Sequence, residues 1–372
     1  MKASKTVGFY RLILSVVLIA MVVAVVGIAV DGWQQPSQDG TGGVPSAPSG
    51  GTQTPVTPPT DNPTLETPTP LPTPPAFVSY LTGLEVTEEA SRRNPLAIVM
   101  NGSTGGYGLS HASIVMELPI ENGSTRYLAY MESTDALGQV GTLMPSRRYL
   151  SDMLRSFGGL LVCYGNEDRV SYDGYDVSSL TLDLHGKQGC SYTEGLSDVY
   201  TNGYMLQNGL SGSMLSTEIY ETPTLPFRFA EYGTALPRGA MEATELLLPY
   251  GSGTETELVY KESSGTYVLK KGGKTYTDQL TREAVEFTNV FVLFADATTY
   301  ERTDMTQLVL DTKAGGAGFY ASAGGAVRIT WRTDEGGSIH FYDTAGRELT
   351  VNRGTSYISF FKSSMSTEVS LG

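Results

Sequence analysis

The sequence predicts an α+β protein with two domains, an N-terminal mixed α/β sheet domain at 77–238 and an antiparallel β domain, sandwich or barrel-like, at 239–372. In the first region a strand, a hairpin, a helix and another strand follow one another, which is typical of a mixed sheet covered by helices. In the second region many short strand-like runs alternate with glycine-containing turns, which is typical of antiparallel β domains. Because 40% of the residues are hydrophobic, the chain has enough apolar side chains to form two cores.

The N-terminus combines a basic segment, residues 1–11, with an uncharged apolar run, residues 12–30. A helix of that length spans about 30 Å, which is the thickness of the hydrocarbon core of a bilayer. Because positive charge stays on the cytoplasmic side, we expect a single-pass protein of the cell membrane with a cytoplasmic N-terminus and with residues 31–372 outside. A cleaved secretory signal is the alternative, since residues 27–29 (Gly-Ile-Ala) offer a small-x-small pattern for a signal peptidase.

Residues 31–76 consist mainly of Pro, Thr, Gly and Ser and end in TPTPLPTPPA. Such a composition cannot bury enough apolar surface to offset the entropy lost on ordering, and its proline-rich part favours extended polyproline II. We therefore predict a disordered stalk that holds the following domains away from the membrane. A proline-rich docking motif is the alternative.

The first domain begins with an apolar run between Asn-Pro and Asn-Gly, which predicts a buried strand at 95–101. A second Asn-Gly pair separates the strand-like runs 113–119 and 125–132, and so predicts a β-hairpin. Apolar residues recur at helical spacing within 145–157, and another buried strand is predicted at 159–165.

The second domain is predicted to be a series of short strands, with one short helix at 282–287. The strand-like runs are 246–249, 257–260, 266–270, 274–276, 289–294, 307–311, 318–322, 326–332, 338–342 and 357–361.

Composition restricts the cofactors and partners of the chain. A formal net charge of −14 argues against nucleic acid and against adhesion to anionic lipid. The three histidines are far apart and no Cys/His cluster has metal-ligand spacing, so neither a metal nor a cofactor is predicted. Cys163 and Cys190 could form a disulfide in an oxidising compartment, closing a loop of about 28 residues. Alternatively, Cys163 is a small buried hydrophobic residue and Cys190 an unrelated loop residue.

A long series of segments falls in the order of the YerB-like family of bacterial membrane-associated lipoproteins. They are 93–117, 123–131, 140–149 and 200–201 in the first domain and, in the second, PRGAMEATELLLPYG, KESSGTYVLKKGGKTY, FTNVFVLFAD and ITWRTDEGGSIHFYDTAGRELTVNRG. The chain resembles this family over most of 77–372. The resemblance implies a two-part extracytoplasmic protein; because the family is one of unknown function, it implies location and architecture but little mechanism.

Three positions depart from the pattern of that family. In the V-G-x-x-R-S-x-R-P-Y segment, Met144 replaces the first arginine and Arg147 matches the second. Ser113 stands where S-x-A-D-I-V-Y-E has its acid, and Ser197 stands where A-P-H-N-L-Y-T has its histidine. Typical members also carry a lipid-modified cysteine, whereas this chain has an apolar run. If the family site uses the arginine, the acid and the histidine together, this member has lost much of it.

Arg126 and Arg147 are the strongest candidates for ligand-binding residues. Arg126 follows the predicted hairpin turn, and Arg147 lies near the start of the predicted helix, where free N–H groups and a guanidinium suit an anionic ligand. Tyr149, Glu117 and Tyr200 complete the predicted ligand-binding set. The alternative is that the arginines make internal ion pairs, for example Arg126 with Glu117 across the hairpin.

Motifs for catalysis are weak in this chain. No G-x-S-x-G motif is present, and the adjacency of Ser110 and His111 in sequence does not bring their side chains together. The acidic residues at 168–183 lack EF-hand spacing. The sequence therefore favours a non-catalytic, membrane-anchored extracytoplasmic protein that binds a cell-envelope component or a partner protein. The enzymatic alternative is an envelope hydrolase or transferase with an arginine-lined cleft in the first domain.

Overall fold

The structure is a computed structural model that describes residues 75–103, 106–135, 137–165, 174–219, 226–231, 239–251, 255–301 and 306–372. The basic segment, the apolar run at 12–30 and residues 31–74 of the predicted stalk lie outside these ranges. Within them, no helix is both long enough and apolar enough to cross a membrane. All the described residues belong to one unit, Leu71–Gly372.

The described residues form three α-helices and a larger number of β-strands. The helices are α1 (Glu88–Ser91), α2 (Arg148–Phe157) and α3 (Gly203–Ser211). The strands are β1 (Leu96–Asn101), β2 (Ile114–Pro119), β3 (Thr125–Met131), β4 (Val140–Gly141), β5 (Leu160–Cys163), β6 (Thr181–Asp183), β7 (Tyr192–Glu194), β8 (Asp198–Thr201), β9 (Arg228–Phe229), β10 (Met241–Glu242), β11 (Glu245–Leu248), β12 (Thr256–Lys261), β13 (Thr266–Lys271), β14 (Lys274–Thr275), β15 (Glu286–Phe287), β16 (Asn289–Ala295), β17 (Ala297–Glu301), β18 (Thr306–Leu310), β19 (Gly316–Ser322), β20 (Gly325–Thr333), β21 (Ile339–Asp343), β22 (Thr350–Val351), β23 (Ser356–Lys362) and β24 (Ser370–Leu371).

The three helices begin in different ways. The Thr87 hydroxyl accepts a hydrogen bond from the Ala90 N–H and so caps α1. The Asn202 side chain accepts a hydrogen bond from the Met205 N–H and so caps α3. Helix α2 has Arg147 as its N-cap, which makes no side-chain capping bond, and Gly158, with a positive φ of 67°, as its C-cap. The first turn of α2 is therefore not capped by the side chain at its N-cap.

The main sheet has eleven strands and combines parallel and antiparallel pairs. Its order is β10-β20-β19-β16-β23-β2-β3-β1-β5-β6, with β21 on β20. At the centre, β2 lies parallel to β23, with Ile114 opposite Ser356 and Glu117 opposite Ser359. The predicted boundary at 238/239 therefore falls between two segments that contribute neighbouring strands to one sheet.

A second sheet is built from the second half of the chain. It has the order β14-β13-β12-β11-β24, with β15 on β13. Smaller sheets pair β17 with β18, β22 with β9, and β4 with β8 and β7. The coarse class predicted from the sequence, a β-rich α+β protein, is thus confirmed.

The two faces of the main sheet carry two separate hydrophobic clusters. Along β1, Ile98 belongs to one cluster and Val99 to the other, as expected for side chains that alternate across a strand. The first cluster also contains Leu258 and Leu269 from the second sheet. The second cluster contains the apolar face of α2, including Met153. The main sheet is therefore the middle of three layers, between α2 on one face and the second sheet on the other.

Local predictions agree with the structure for the strand β1, the hairpin β2–β3 and the helix α2. The Asn122-Gly123 turn has left-handed φ values of 60° and 72°, which Asn and Gly adopt most readily. The short helix predicted at 282–287 is wrong. Arg282 has a positive φ of 64°, which a helix does not allow, and the segment ends in strand β15.

The two cysteines are buried and are not bonded to each other. Cys163 lies on β5 in the same cluster as α2, whereas Cys190 lies in the cluster on the opposite face of the main sheet. A disulfide needs Cα atoms within about 7 Å of one another, with side chains that point together. The fold thus favours the alternative to a disulfide, in which Cys163 acts as a small buried hydrophobic residue.

Candidate functional site

The predicted ligand-binding residues lie in three different places. Glu117 on β2 faces the second sheet, and Tyr200 on β8 belongs to a small peripheral sheet. Arg126, Arg147 and Tyr149 lie together near the start of α2. Only these last three form a single cluster.

Glu117 is a fully buried carboxylate that receives four side-chain hydrogen bonds. The Thr125 hydroxyl donates to its Oε1 at 2.7 Å, and the Thr256 hydroxyl donates to its Oε2 at 2.9 Å. The Lys271 ammonium also donates to Oε1, and the Tyr357 hydroxyl also donates to Oε2. Three of these four donors come from the second half of the chain, so the carboxylate joins the two halves.

Glu117 therefore pairs with Lys271, not with Arg126 across the hairpin. The register of β2 and β3 places Glu117 opposite Tyr127 and Leu118 opposite Arg126. Because successive side chains of a strand point to opposite faces, Glu117 and Arg126 lie on opposite sides of the sheet. A two-residue turn at Asn122-Gly123 would have shifted this register by one residue and placed both side chains on the same face, so the longer loop of the structure decides the outcome.

Aromatic side chains enclose the Glu117–Lys271 pair. The Lys271 ammonium lies 5.3 Å from the centre of the Tyr127 ring and 5.9 Å from that of Tyr250. Burial, followed by the charge of Glu117, raises the pKa of Tyr250 and of Tyr357 well above the usual value. These hydroxyls remain neutral donors, and a carboxylate that is so fully engaged is better suited to holding the fold than to binding a ligand.

The cluster at the start of α2 contains two buried guanidiniums. One N–H of Arg126 donates to the Pro145 carbonyl, while its Nε has no acceptor among the residues that the structure describes. Arg147 donates to the Glu121 carboxylate at 3.3 Å, and the Tyr149 hydroxyl donates to the Pro119 carbonyl at 3.2 Å. Burial, and then the charge of Arg147, lower the pKa of Arg126 to about 10, although Tyr149 and Glu121 act in the opposite direction. The sequence thus identified two arginines that the fold brings together.

Tyr200 belongs to an aromatic group at the edge of the first half. Its ring lies 5.6 Å from that of Tyr107 and 5.9 Å from that of Tyr192, measured between ring centres. The Thr142 hydroxyl donates to the Tyr200 hydroxyl at 3.4 Å. Among the described residues, no hydrogen bond or ring contact of Tyr200 involves the two arginines.

A wide groove that the sequence did not predict lies between α1, the end of β3 and the segment 207–218. Its volume is about 1120 Å³. Most of its lining side chains are polar, including Asn94, Thr134, Gln207 and Ser211. Its charged lining residues are Glu88, Glu89, Glu132, Asp135 and Glu218, and Arg92 and Arg93. Carboxylates thus outnumber guanidiniums in this groove.

Protein groups already occupy several carboxylates of the groove. Arg93 donates to Glu89 at 2.8 Å and to Asp135 at 2.9 Å. Hydrogen bonds from Ser133 and Arg93 lower the pKa of Asp135 below its usual value. The Ser79 hydroxyl donates to one oxygen of Glu132, and the Ser113 hydroxyl donates to the other. The groove therefore presents many hydrogen-bonding groups, several of which already have partners within the protein.

The positions that depart from the family pattern do not assemble into a site of this chain. Ser113 is engaged with Glu132, and Ser197 lies exposed in the turn between β7 and β8. Met144 packs against the cluster that contains α2. In the part of the chain that the structure describes, no group of three or more His, Cys, Asp or Glu side chains is arranged to hold a metal ion.

Comparison with known proteins identifies both halves of the chain. A family profile described as "Protein of unknown function (DUF3048) N-terminal domain" matches residues 81–198, and one described as "Protein of unknown function (DUF3048) C-terminal domain" matches residues 246–358. A relative from Bacillus subtilis (strain 168), named "Putative lipoprotein YerB", is 23% identical over 304 residues, which are 78% of this chain and 88% of the relative. The crystal structure of the YerB protein from Bacillus subtilis matches with a TM-score of 0.67 at 20% identity, covering 80% of this chain and 99% of that one. The likeness to that crystal structure shows a shared fold.

Proposed function

This chain belongs to the DUF3048 family, and we propose that it is a membrane-anchored extracytoplasmic protein that binds a cell-envelope component or a partner protein. The groove beside α1 is the observation that carries the binding function. The predicted apolar run at 12–30, the proline-rich stalk and the lipoprotein name of the Bacillus relative support the location.

The size and lining of the groove favour a polar ligand that carries several functional groups. Small-molecule sites commonly enclose about 300–1,000 Å³ and are mostly apolar. This groove, at about 1120 Å³, is as large, but amides, hydroxyls and charged groups make up most of its lining residues, and its apolar ones are Leu96, Met131, Leu210 and Leu215. Its excess of carboxylates disfavours a polyanion. We infer that it accepts a neutral or basic polar chain, such as a glycan or a peptide segment of the cell wall.

The groove supports binding better than hydrolysis. A general acid needs a carboxyl group whose pKa is raised towards neutrality. Instead, the pKa of Asp135 is lowered, and both oxygens of Glu132 accept serine hydroxyls. The arginines of the alternative cleft, Arg126 and Arg147, are only 4% and 5% exposed, so a polymer of the cell envelope does not reach them as a substrate. Binding is therefore the function that the described residues support best.

A matched pair of substitutions on α3 tests the groove. Gln207 lines it and donates to the Thr134 hydroxyl at 3.0 Å, whereas its neighbour Asn208 is exposed and does not line it. Calorimetric titration of the full chain with soluble peptidoglycan fragments should show binding that Gln207→Trp weakens by about tenfold or more, because the indole fills the groove. Asn208→Trp should bind as the wild type does.

Equal binding by both variants, or none by the wild type, would count against a peptidoglycan site in the groove. The same mixtures should be assayed for released products. Turnover of the fragments would favour the hydrolase alternative.

The location is tested on intact cells that make the full chain. We expect the chain in the membrane fraction, and external protease should release the part that follows the predicted stalk, because extended proline-rich segments are accessible. Spontaneous release into the medium would indicate that the N-terminal segment is cleaved. Protection from external protease would contradict an extracytoplasmic location.

A further inference from the structure

We propose that Arg126 and Arg147, with the first turn of α2, form a binding site for a small phosphate group. This site is separate from the groove beside α1 and does not depend on the function proposed for that groove. The lining of the groove includes neither arginine.

The hydrogen bonding of Arg126 is the first argument. A guanidinium has five N–H donors, and buried donors are nearly always paired. Arg126 is only 4% exposed, yet among the described residues its acceptor is a single backbone carbonyl, that of Pro145, and its Nε has none. Because an unpaired buried donor destabilises the fold, an acceptor that reaches Arg126 would stabilise it.

The position of Arg126 at the entry of α2 is the second argument. Pro145, which Arg126 contacts, lies three residues before Arg148, the first residue of the helix. The N-terminus of a helix presents N–H groups and a partial positive charge to an anion. One turn into the helix, the Ser151 hydroxyl is also buried and has no hydrogen-bond partner among the described residues. Unpaired donors from a strand and a helix therefore lie at the same end of α2.

The local charge is the third argument. Arg147 lies close enough to Arg126 to lower its pKa, so the two cations repel each other. Glu121, the carboxylate whose charge acts on Arg126, contacts Arg147 at 3.3 Å and the Leu308 N–H at 2.8 Å, and among the described residues it forms no ion pair with Arg126. An anion placed against Arg126 would offset this repulsion in a region of low dielectric.

The donor set favours phosphate over a carboxylate. The Arg126 guanidinium, a hydroxyl and helix N–H groups offer more donors than the two oxygens of a carboxylate can accept, whereas a phosphate group has at least three acceptor oxygens. Because Arg126 and Arg147 are at most 5% exposed, the site suits a small group and not a polymer. The phosphate could be free or carried by a small ester, such as glycerol 1-phosphate.

The test is the thermal unfolding of the full chain in inorganic phosphate, in glycerol 1-phosphate and in chloride at equal ionic strength, which holds general screening constant. We expect at least one of the two phosphates to raise the melting midpoint of the wild type by several degrees at saturation. Arg126→Met should abolish this rise while leaving the chloride midpoint unchanged or higher, because it removes a poorly paired buried cation.

The matched control is Arg353→Met. Arg353 also donates to a backbone carbonyl, that of Ala230 at 2.8 Å, but it lies elsewhere, so this variant should keep the response to phosphate. If Arg126→Met does not fold, Arg126→Lys replaces it; that variant keeps the charge but loses the planar donor fork, so its response should be reduced. A response to inorganic phosphate indicates a free anion as ligand, and a response to the ester alone indicates a bound headgroup or sugar phosphate. No rise in the wild type, or an equal rise without Arg126, overturns the proposal.

Discussion

Lys271→Met is expected to lower the free energy of unfolding by about 3–5 kcal/mol, because it leaves Glu117 as an uncompensated buried charge. Glu117 is 0% exposed and Lys271 is 3% exposed, so water cannot replace the lost ammonium without opening the core. Such a loss is a large share of the about 5–15 kcal/mol that stabilises a typical protein. Urea denaturation of the full chain, followed by circular dichroism, measures it.

Lys270→Met is the matched control, because Lys270 precedes Lys271 on the same strand but is partly exposed. Its ammonium lies 4.0 Å from the Glu257 carboxylate, and an ion pair of this kind contributes about 0–1 kcal/mol. A double variant, Glu117→Gln with Lys271→Met, should recover part of the stability, since it removes both charges. A loss below about 1 kcal/mol for Lys271→Met would contradict the structural role of the pair.

The contrast between Glu117 and Lys271 shows where sequence reasoning succeeds in this protein. The hairpin β2–β3, with its Asn-Gly turn, is visible in the sequence, but its register is not, because the loop at Glu121–Gly123 is one residue longer than the two-residue turn that Asn-Gly favours. The burial of Lys271 is not visible, because it lies in a Lys-Lys-Gly-Gly-Lys run that resembles a solvated turn. Its environment arises only when the second sheet packs on the main sheet, which is a contact between residues far apart in sequence.

The candidate sites show the same difference between local sequence signals and contacts between distant parts of the chain. Arg126 and Arg147 were identified because each lies next to a local signal, a turn or a helix start, and local signals are strong. The groove was missed because its walls, at α1 and at 207–218, are more than a hundred residues apart in sequence. An isolated bridge between Arg93 and Glu218 joins these walls, and no periodic pattern in the sequence indicates it. Sequence periodicity identifies elements, whereas a groove between elements depends on how they pack.

Neither half of the chain, 77–238 or 239–372, is expected to unfold cooperatively when it is produced alone. Separation would remove the pairing of β2 with β23 and expose both strands, which are almost entirely buried. It would also leave Glu117 without three of its four donors. An exposed central strand that carries a buried charge favours aggregation over folding.

The loss of hydrophobic contacts leads to the same expectation. The cluster between the two sheets contains Ile98, Val115 and Ala129 from the first half together with Leu258 and Leu269 from the second. Because burial of one large apolar side chain contributes about 1.5–3 kcal/mol, exposing several of them removes an amount comparable to the about 5–15 kcal/mol that stabilises a typical protein.

Calorimetry of each purified half checks this expectation, and co-expression of the two halves is the control. Co-expression should give a complex that melts in a single transition, because the strands of both halves can then pair as they do in the intact chain. A sharp transition in either isolated half would instead mean that its own sheet is sufficient for folding. The predicted boundary at 238/239 would then mark two independent domains.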